Sequence, residues 1–256
     1  MKTKNIEESI NLEDFVKGFK KASNILKMEK PNYIFAPVSG AVPFIDILNI
    51  IDRHFNLNAV QYIPNSSRFK NREELMEKWY SKFYEKNEFG EPIKIVCIDE
   101  VLSGSSAVIG YKQFQNSIEE RAKKKAKGLS NEYEAIEKFK RKLSKNIKYK
   151  ILGLSERGYK KNPELNRLIN KRNIVHLINF DNIPTIDNIS YNPIRFKLIS
   201  SKNGNNIYSP EIERFEITRE YLAFLKNIST YVGVDPSTIN LVNLSKIEEG
   251  LKQSYE

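Results

Sequence analysis

The sequence predicts an α/β protein built on a parallel sheet of about five strands flanked by helices, with a helical insertion and a helical C-terminal extension. Three observations predict it. Five short apolar runs, at residues 33–38, 57–63, 93–98, 149–155 and 174–180, are separated by stretches of helical period. Strands that alternate with helices form parallel sheets covered on both faces. The chain has 256 residues, 40% of them hydrophobic and 29% charged. That composition is globular and large enough for one domain, or one domain with an appendage.

Each element follows from its local pattern. Ile10, Phe15, Phe19, Ile25 and Leu26 recur at helical spacing, so a helix is expected over 6–28, closed by Pro31. "YIFAPV" is the first strand, and "SGAVP" the loop after it. Phe44, Ile47, Leu48 and Ile51 line one face of a helix over 44–55. "LNAVQYI" is the second strand. A polar segment, 64–92, holds "NSSRFKNREE" and a helix around 75–83. "IKIVCI" is the third and most apolar strand. A helix is expected from about Ser105, then one or two basic helices with Gly128 as the break. "YKILGLS" is the fourth strand, Asn162-Pro163 starts a helix, and "IVHLINF" is the fifth strand.

From Asp181 the character changes, with Pro184, Pro193 and a loop at "SSKNGNN". Two helices are expected, over 210–231 and 237–253. The predicted organisation is an N-terminal helix in 1–31 packing on a core of 32–180. The core carries a basic helical insertion at about 119–148, and 181–256 form a helical cap or hood.

The single cysteine, Cys97, rules out a disulfide within the chain and fits a reducing compartment. It lies in an apolar run and is expected to pack as a small hydrophobe. The N-terminal residues lack the apolar core of a signal peptide. No run approaches the about 20 apolar residues that span a bilayer. The expectation is a cytoplasmic protein with no membrane partner. A composition rich in Lys, Asn and Ile fits an AT-rich bacterial genome. His54 is expected near a helix C-terminus, where the dipole favours it, and His176 inside a strand. Two such distant histidines make no zinc-type cluster.

The net charge is +10, and it is local. Between Arg121 and Lys150 there are twelve Lys and Arg against three Glu, a surplus of nine. This segment reads most simply as solvated helices, with Ile136, Phe139 and Leu143 packing inward. Its functional reading is a nucleic-acid footprint.

Ligands of open parallel sheets bind beyond the carboxyl ends of the strands. The loop after the third strand reads Asp99-Glu100-Val101-Leu102-Ser103-Gly104-Ser105-Ser106. Glycine allows a tight turn, and N–H groups at a helix start attract phosphate. Acids beside such a loop would repel phosphate unless they hold sugar hydroxyls or a divalent metal. The pattern therefore asks for vicinal hydroxyls, a phosphate and Mg²⁺, which together describe phosphoribosyl pyrophosphate.

"IVCIDEVLSGSSA" resembles the signature of type I phosphoribosyltransferases, and "APVSGAVPFIDIL" resembles their pyrophosphate-binding loop. The resemblance covers roughly residues 32–180. It implies that Asp99 and Glu100 hold the ribose hydroxyls and Mg²⁺, while Ser103, Gly104, Ser105 and Ser106 cradle the 5′-phosphate. It implies that Ser39, Gly40 and Ala41 meet the pyrophosphate. Arg68 and Lys70 would lie on a mobile loop that closes over it. The loop has three residues between the second acid and the glycine where the family has four. Either the loop is one residue shorter, or Asp99 alone matches the second acid, with Ile98 in place of the first. Arg157, after the fourth strand, could reach a phosphate or be a solvated surface residue. Dimers are common in the family, which allows a homodimer. The implied activity is transfer of ribose 5-phosphate to or from a base or other nucleophile. The alternative is a catalytically degenerate sensor of a phosphoribosyl ligand or nucleotide, or a bacterial defence effector that contacts nucleic acid through the basic segment.

Overall fold

A computed structural model describes residues 12–38, 40–87, 91–158, 160–171, 174–180, 194–203, 205–215, 217–239 and 243–255. Five strands form one parallel sheet: β1 (Tyr33–Pro37), β2 (Val60–Ile63), β3 (Ile93–Glu100), β4 (Ile147–Glu156) and β5 (Val175–Phe180), in the order β2-β1-β3-β4-β5. Helices cover both faces: α1 (Leu12–Glu29), α2 (Val42–Ile51), α3 (Arg72–Lys86), α4 (Ser105–Ala126), α5 (Glu132–Asn146), α6 (Pro163–Asn170), α7 (Arg219–Tyr231) and α8 (Asn243–Tyr255).

The period of two along the strands creates two cores. Ile34, Val96, Ile98, Leu152 and Leu154 pack against α1, α2, α7 and α8. Phe35, Ile95, Cys97, Ile151 and Val175 face the opposite way, toward α3, α4 and α6. On that second face Trp79 stacks on Phe83 and meets Phe35 edge-on, with centroids 5.3 and 5.0 Å apart. Such aromatic pairs add to the burial energy of a sheet–helix contact.

Two close approaches fix the helices. A Cβ on Gly18 would lie 2.1 Å from the Phe180 ring, so α1 sits tight on β5. A Cβ on Gly250 would lie 2.6 Å from the Tyr62 carbonyl oxygen, so α8 presses on the edge strand β2. Covering an edge in this way blocks pairing with another chain. Gly250→Ala is expected to cost about 2 kcal/mol by overpacking, despite alanine's better helix propensity. A urea melt reads this; stability at or above the native value contradicts the contact.

The sheet matches the expected five parallel strands, and Gly128 (φ 83°) separates α4 from α5. Several boundaries differ. The first helix begins, among the described residues, at Leu12, and the expected start at residue 6 lies outside them. The second begins at Val42, because Pro43 is tolerated in a first turn. It ends at Ile51, where Asp52 turns extended. His54 therefore lies beyond the helix, and its N–H donates to Asp52 Oδ1 (3.0 Å).

The C-terminal extension is not purely helical. β6 (Ile194–Lys202) and β7 (Asn205–Phe215) form an antiparallel hairpin, where a helix was expected from residue 210. Pro210 is not a helix start but lies in an irregular stretch: Leu198 pairs with Tyr208 and Phe196 with Ile212. A bulge is where a strand tolerates proline. The helix begins only at Arg219, where Thr218 Oγ1 accepts from Tyr221 N–H (3.2 Å). No helix among the described residues is long and apolar enough to cross a membrane.

Candidate functional site

The strand order reverses between β1 and β3, the kind of point beyond which open parallel sheets bind ligands in a crevice. The two loops singled out in the sequence are those that flank it. After β1, Val38 N–H donates to Ile63 O and Ala41 N–H to Pro37 O, both at 3.0 Å, which folds the chain tightly into α2. Ala41 is fully buried. A Cβ on Gly40 would lie 3.9 Å from Asp99 Oδ1. The first loop thus lies within about one added methyl of the carboxylate at the end of the third strand. Ser39 lies outside the described residues.

Strand β3 runs two residues further than expected, because Asp99 and Glu100 stay paired with Gly153 and Leu154 of β4. The two acids therefore point to opposite faces. Asp99 shares the α4 face with Ile95 and Cys97; Glu100 shares the α2 face with Val96 and Ile98. They can meet one ligand only across the carboxyl edge of the sheet. Asp99 is 6% exposed, and its Oδ2 makes no hydrogen bond among the described residues. Burial, then the charge of Glu100, pushes its carboxyl up to about 8. Glu100 is half-buried. Burial also pushes the Cys97 thiol up, so it behaves as a packed hydrophobe.

The serine loop is shaped by Gly104, which has φ 83° at the start of α4. A Cβ there would lie 2.2 Å from Leu165 Cδ2 of α6. Ser103 O accepts from Asn162 N–H (2.7 Å), and Asn162 Oδ1 accepts from Glu164 N–H (2.8 Å) at the start of α6. Asn162 Nδ2 reaches Ser105 Oγ at 3.5 Å. Two helix N-termini thus lie side by side at one edge of the sheet, where the positive ends of their dipoles favour an anion, although Ser105 N–H already donates to Ser103 Oγ (3.4 Å). Ser103 and Ser105 are exposed and Ser106 is half-buried.

Two residues join the site that the sequence reading did not single out. Asn65 follows β2, is 3% exposed, and donates through Nδ2 to Ser106 O (3.4 Å). Its Oδ1 makes no hydrogen bond among the described residues. Lys161 precedes α6, bonds Ser155 Oγ and donates to Glu156 O (3.4 Å), and burial lowers its pKa. Asn65 had a weak signal, a polar residue directly after a strand; Lys161 had none.

Arg68 and Lys70 sit between β2 and α3. Tyr208 N–H donates to Arg68 O (2.9 Å), and Lys70 N–H donates to Tyr208 O (3.1 Å). Phe69 between them is buried against Phe196, with centroids 4.9 Å apart. This segment is therefore anchored to the β6–β7 hairpin. Arg157 is exposed, and its N–H donates to Phe180 O (2.6 Å). His176 Nε2 lies 3.2 Å from Glu29 Oε1, which also takes Lys150 Nζ at 2.6 Å, so it belongs to a polar cluster between α1 and the sheet. No group of three or more His, Cys, Asp or Glu among the described residues could hold a metal ion. A scan against protein-family models matches none, and a search of curated proteins finds no match.

Proposed function

We propose that the crevice between β1 and β3 binds phosphoribosyl pyrophosphate and transfers its ribose 5-phosphate to a base or other nucleophile. The observation that carries this reading is the buried Asp99, with Oδ2 unbonded among the described residues, beside the Gly40 loop at the point of strand reversal. A five-strand parallel sheet flanked by helices is compatible with the type I phosphoribosyltransferase core. In this reading the 5′-phosphate lies on Ser103–Ser106 and the first turn of α4, with Asn65 and Asn162 holding that loop. Asp99 takes the ribose hydroxyls, and Glu100 reaches the ligand from the other face of the sheet.

In this reading the Gly40 backbone meets the pyrophosphate, with Arg68 and Lys70 balancing its charge. In the transfer, the nucleophile forms a bond to C1 of the ribose. The C1–O bond to pyrophosphate breaks, and pyrophosphate leaves with the electron pair. The chain positions the two partners and neutralises the leaving group.

Mg²⁺ fits in one mode only. Asp99 Oδ2 would supply a protein oxygen, with the other ligands left to substrate and water, as this ion prefers. When bound, it would neutralise pyrophosphate charge.

One observation favours binding without turnover. The Arg68–Lys70 backbone is already paired with Tyr208, so a closing movement would have to carry the hairpin or break two hydrogen bonds. Mixing the protein with phosphoribosyl pyrophosphate, Mg²⁺ and each common base, and measuring pyrophosphate, separates the two. Release that disappears in Asp99→Asn supports transfer. Saturable binding without release supports a sensor. No binding and no release overturns both.

A further inference from the structure

We infer that the outer face of α5 is a docking surface for the phosphate backbone of double-stranded nucleic acid, independent of the crevice between β1 and β3. Helices α4 and α5 form an antiparallel pair, tied by Lys140 and Glu119 at 3.3 Å. The acids of this pair are used internally. Glu119 and Glu120 hold Lys123, and Glu119 and Glu137 hold Lys140. Lys124 donates to Ser81 Oγ and Lys150 is held by Glu29.

What is left over is ordered. Lys138, Arg141, Lys142 and Lys145 are all exposed, and among the described residues their side chains make no ion pair or hydrogen bond. Their spacing, i, i+3, i+4 and i+7, puts them on one face of the helix. They span about 10 Å at 1.5 Å per residue. The acid at the start of that face, Glu134, is held by Asn131 Nδ2 (2.8 Å).

The simpler explanations do not account for the stripe. Basic residues favour a helix C-terminus only within the last turn, and of the four only Lys145 lies there. A membrane-surface helix pairs its basic face with an exposed apolar one. Here Leu143 is buried and Ile136 and Phe139 are half-buried. A single strand is usually held by aromatics among the cations, whereas the aromatic exposed on this helix, Tyr133 (79% exposed), precedes the stripe by a turn. A duplex, with one charge per about 1.7 Å of axis, can engage all four cations at once.

The test is fluorescence anisotropy of a labelled 20-base-pair duplex with the full chain, compared with the variant carrying Lys138→Gln, Arg141→Gln, Lys142→Gln and Lys145→Gln. Four phosphate contacts give a log–log salt slope of about −3.6, hence a loss of roughly 150-fold in affinity between 50 and 200 mM salt. The variant should lose binding at 50 mM while keeping native circular dichroism and an unchanged affinity for phosphoribosyl pyrophosphate. Unchanged duplex binding in the variant overturns the inference. So does a native protein that binds anionic vesicles or single strands in preference to the duplex.

Discussion

Asp99→Asn is expected to be the more stable protein at pH 8 and to bind no phosphoribosyl ligand. Burial holds the Asp99 carboxyl at about 8, against 3.8 for an ordinary aspartate. Between those values the folded protein keeps a proton that the unfolded chain has lost. Native stability therefore falls as pH rises through this window, by about 1.4 kcal/mol per unit. The loss is on the order of 4 kcal/mol by pH 7 and is complete above about pH 8. Asparagine cannot ionise, so this slope vanishes. Its amide still lies buried beside Gly40, at a cost of about 1–3 kcal/mol if unbonded, so the variant has no advantage near pH 4. Thermal melts of both proteins from pH 4 to pH 8 should cross, with the variant higher by roughly 5 °C or more at pH 8. Parallel curves would show that Asp99 is solvated or paired. Asp52, held low by Ser23, Lys27 and the His54 N–H despite its desolvation, contributes with the opposite sign, losing stability as pH falls. Its contribution is common to both proteins and cancels in the comparison.

Gly104→Ala should be the most damaging single methyl in the loop after β3. At φ 83° an L side chain pays about 1–2 kcal/mol in backbone conformation. Its Cβ would also enter the space of Leu165, a fully buried residue, at 2.2 Å. Overpacking of this kind costs about 1–3 kcal/mol, so the sum is on the order of 3–4 kcal/mol. Because α6 supplies Asn162 to Ser103 and Ser105, moving Leu165 also disturbs the loop itself. Urea midpoints of Gly104→Ala, Leu165→Ala and the double variant test this. The double variant should lose less than the two single losses combined, since truncating Leu165 removes the clash but not the backbone strain. Strict additivity would mean the two residues do not touch.

The sheet was readable because each of its strands is an apolar run ended by a turn or helix signal, and Gly128 and Asn162-Pro163 punctuate the helices as expected. The hairpin was missed although its turn was written in the chain. Asn203-Gly204, a favoured hairpin dipeptide, lies between the paired Lys202 and Asn205. The strand that follows carries Pro210 within an irregular stretch, and a bulge in a strand leaves no simple period to read. The two acids stand plainly in the sequence at a strand end, but their opposite orientation does not. That depends on pairing with β4 continuing to Glu100, which no local pattern encodes. The anchoring of Arg68 and Lys70 to Tyr208 joins segments far apart in sequence, so it appears only in the folded chain. The basic segment was obvious as composition. Which of its charges are neutralised, and that the remainder share one face of α5, required the ion pairs.

The most direct measurement is an isothermal titration of the native protein with phosphoribosyl pyrophosphate and Mg²⁺ at pH 7, in two buffers of different ionisation heat. Burial favours the protonated Asp99 carboxyl there, and a metal takes the ionised form, so binding of the Mg²⁺ complex should release up to about one proton per site. Asp99→Asn should show neither the binding nor the proton. An absence of binding heat, or equally tight binding by Asp99→Asn, would contradict the assignment of this crevice to a phosphorylated ribose.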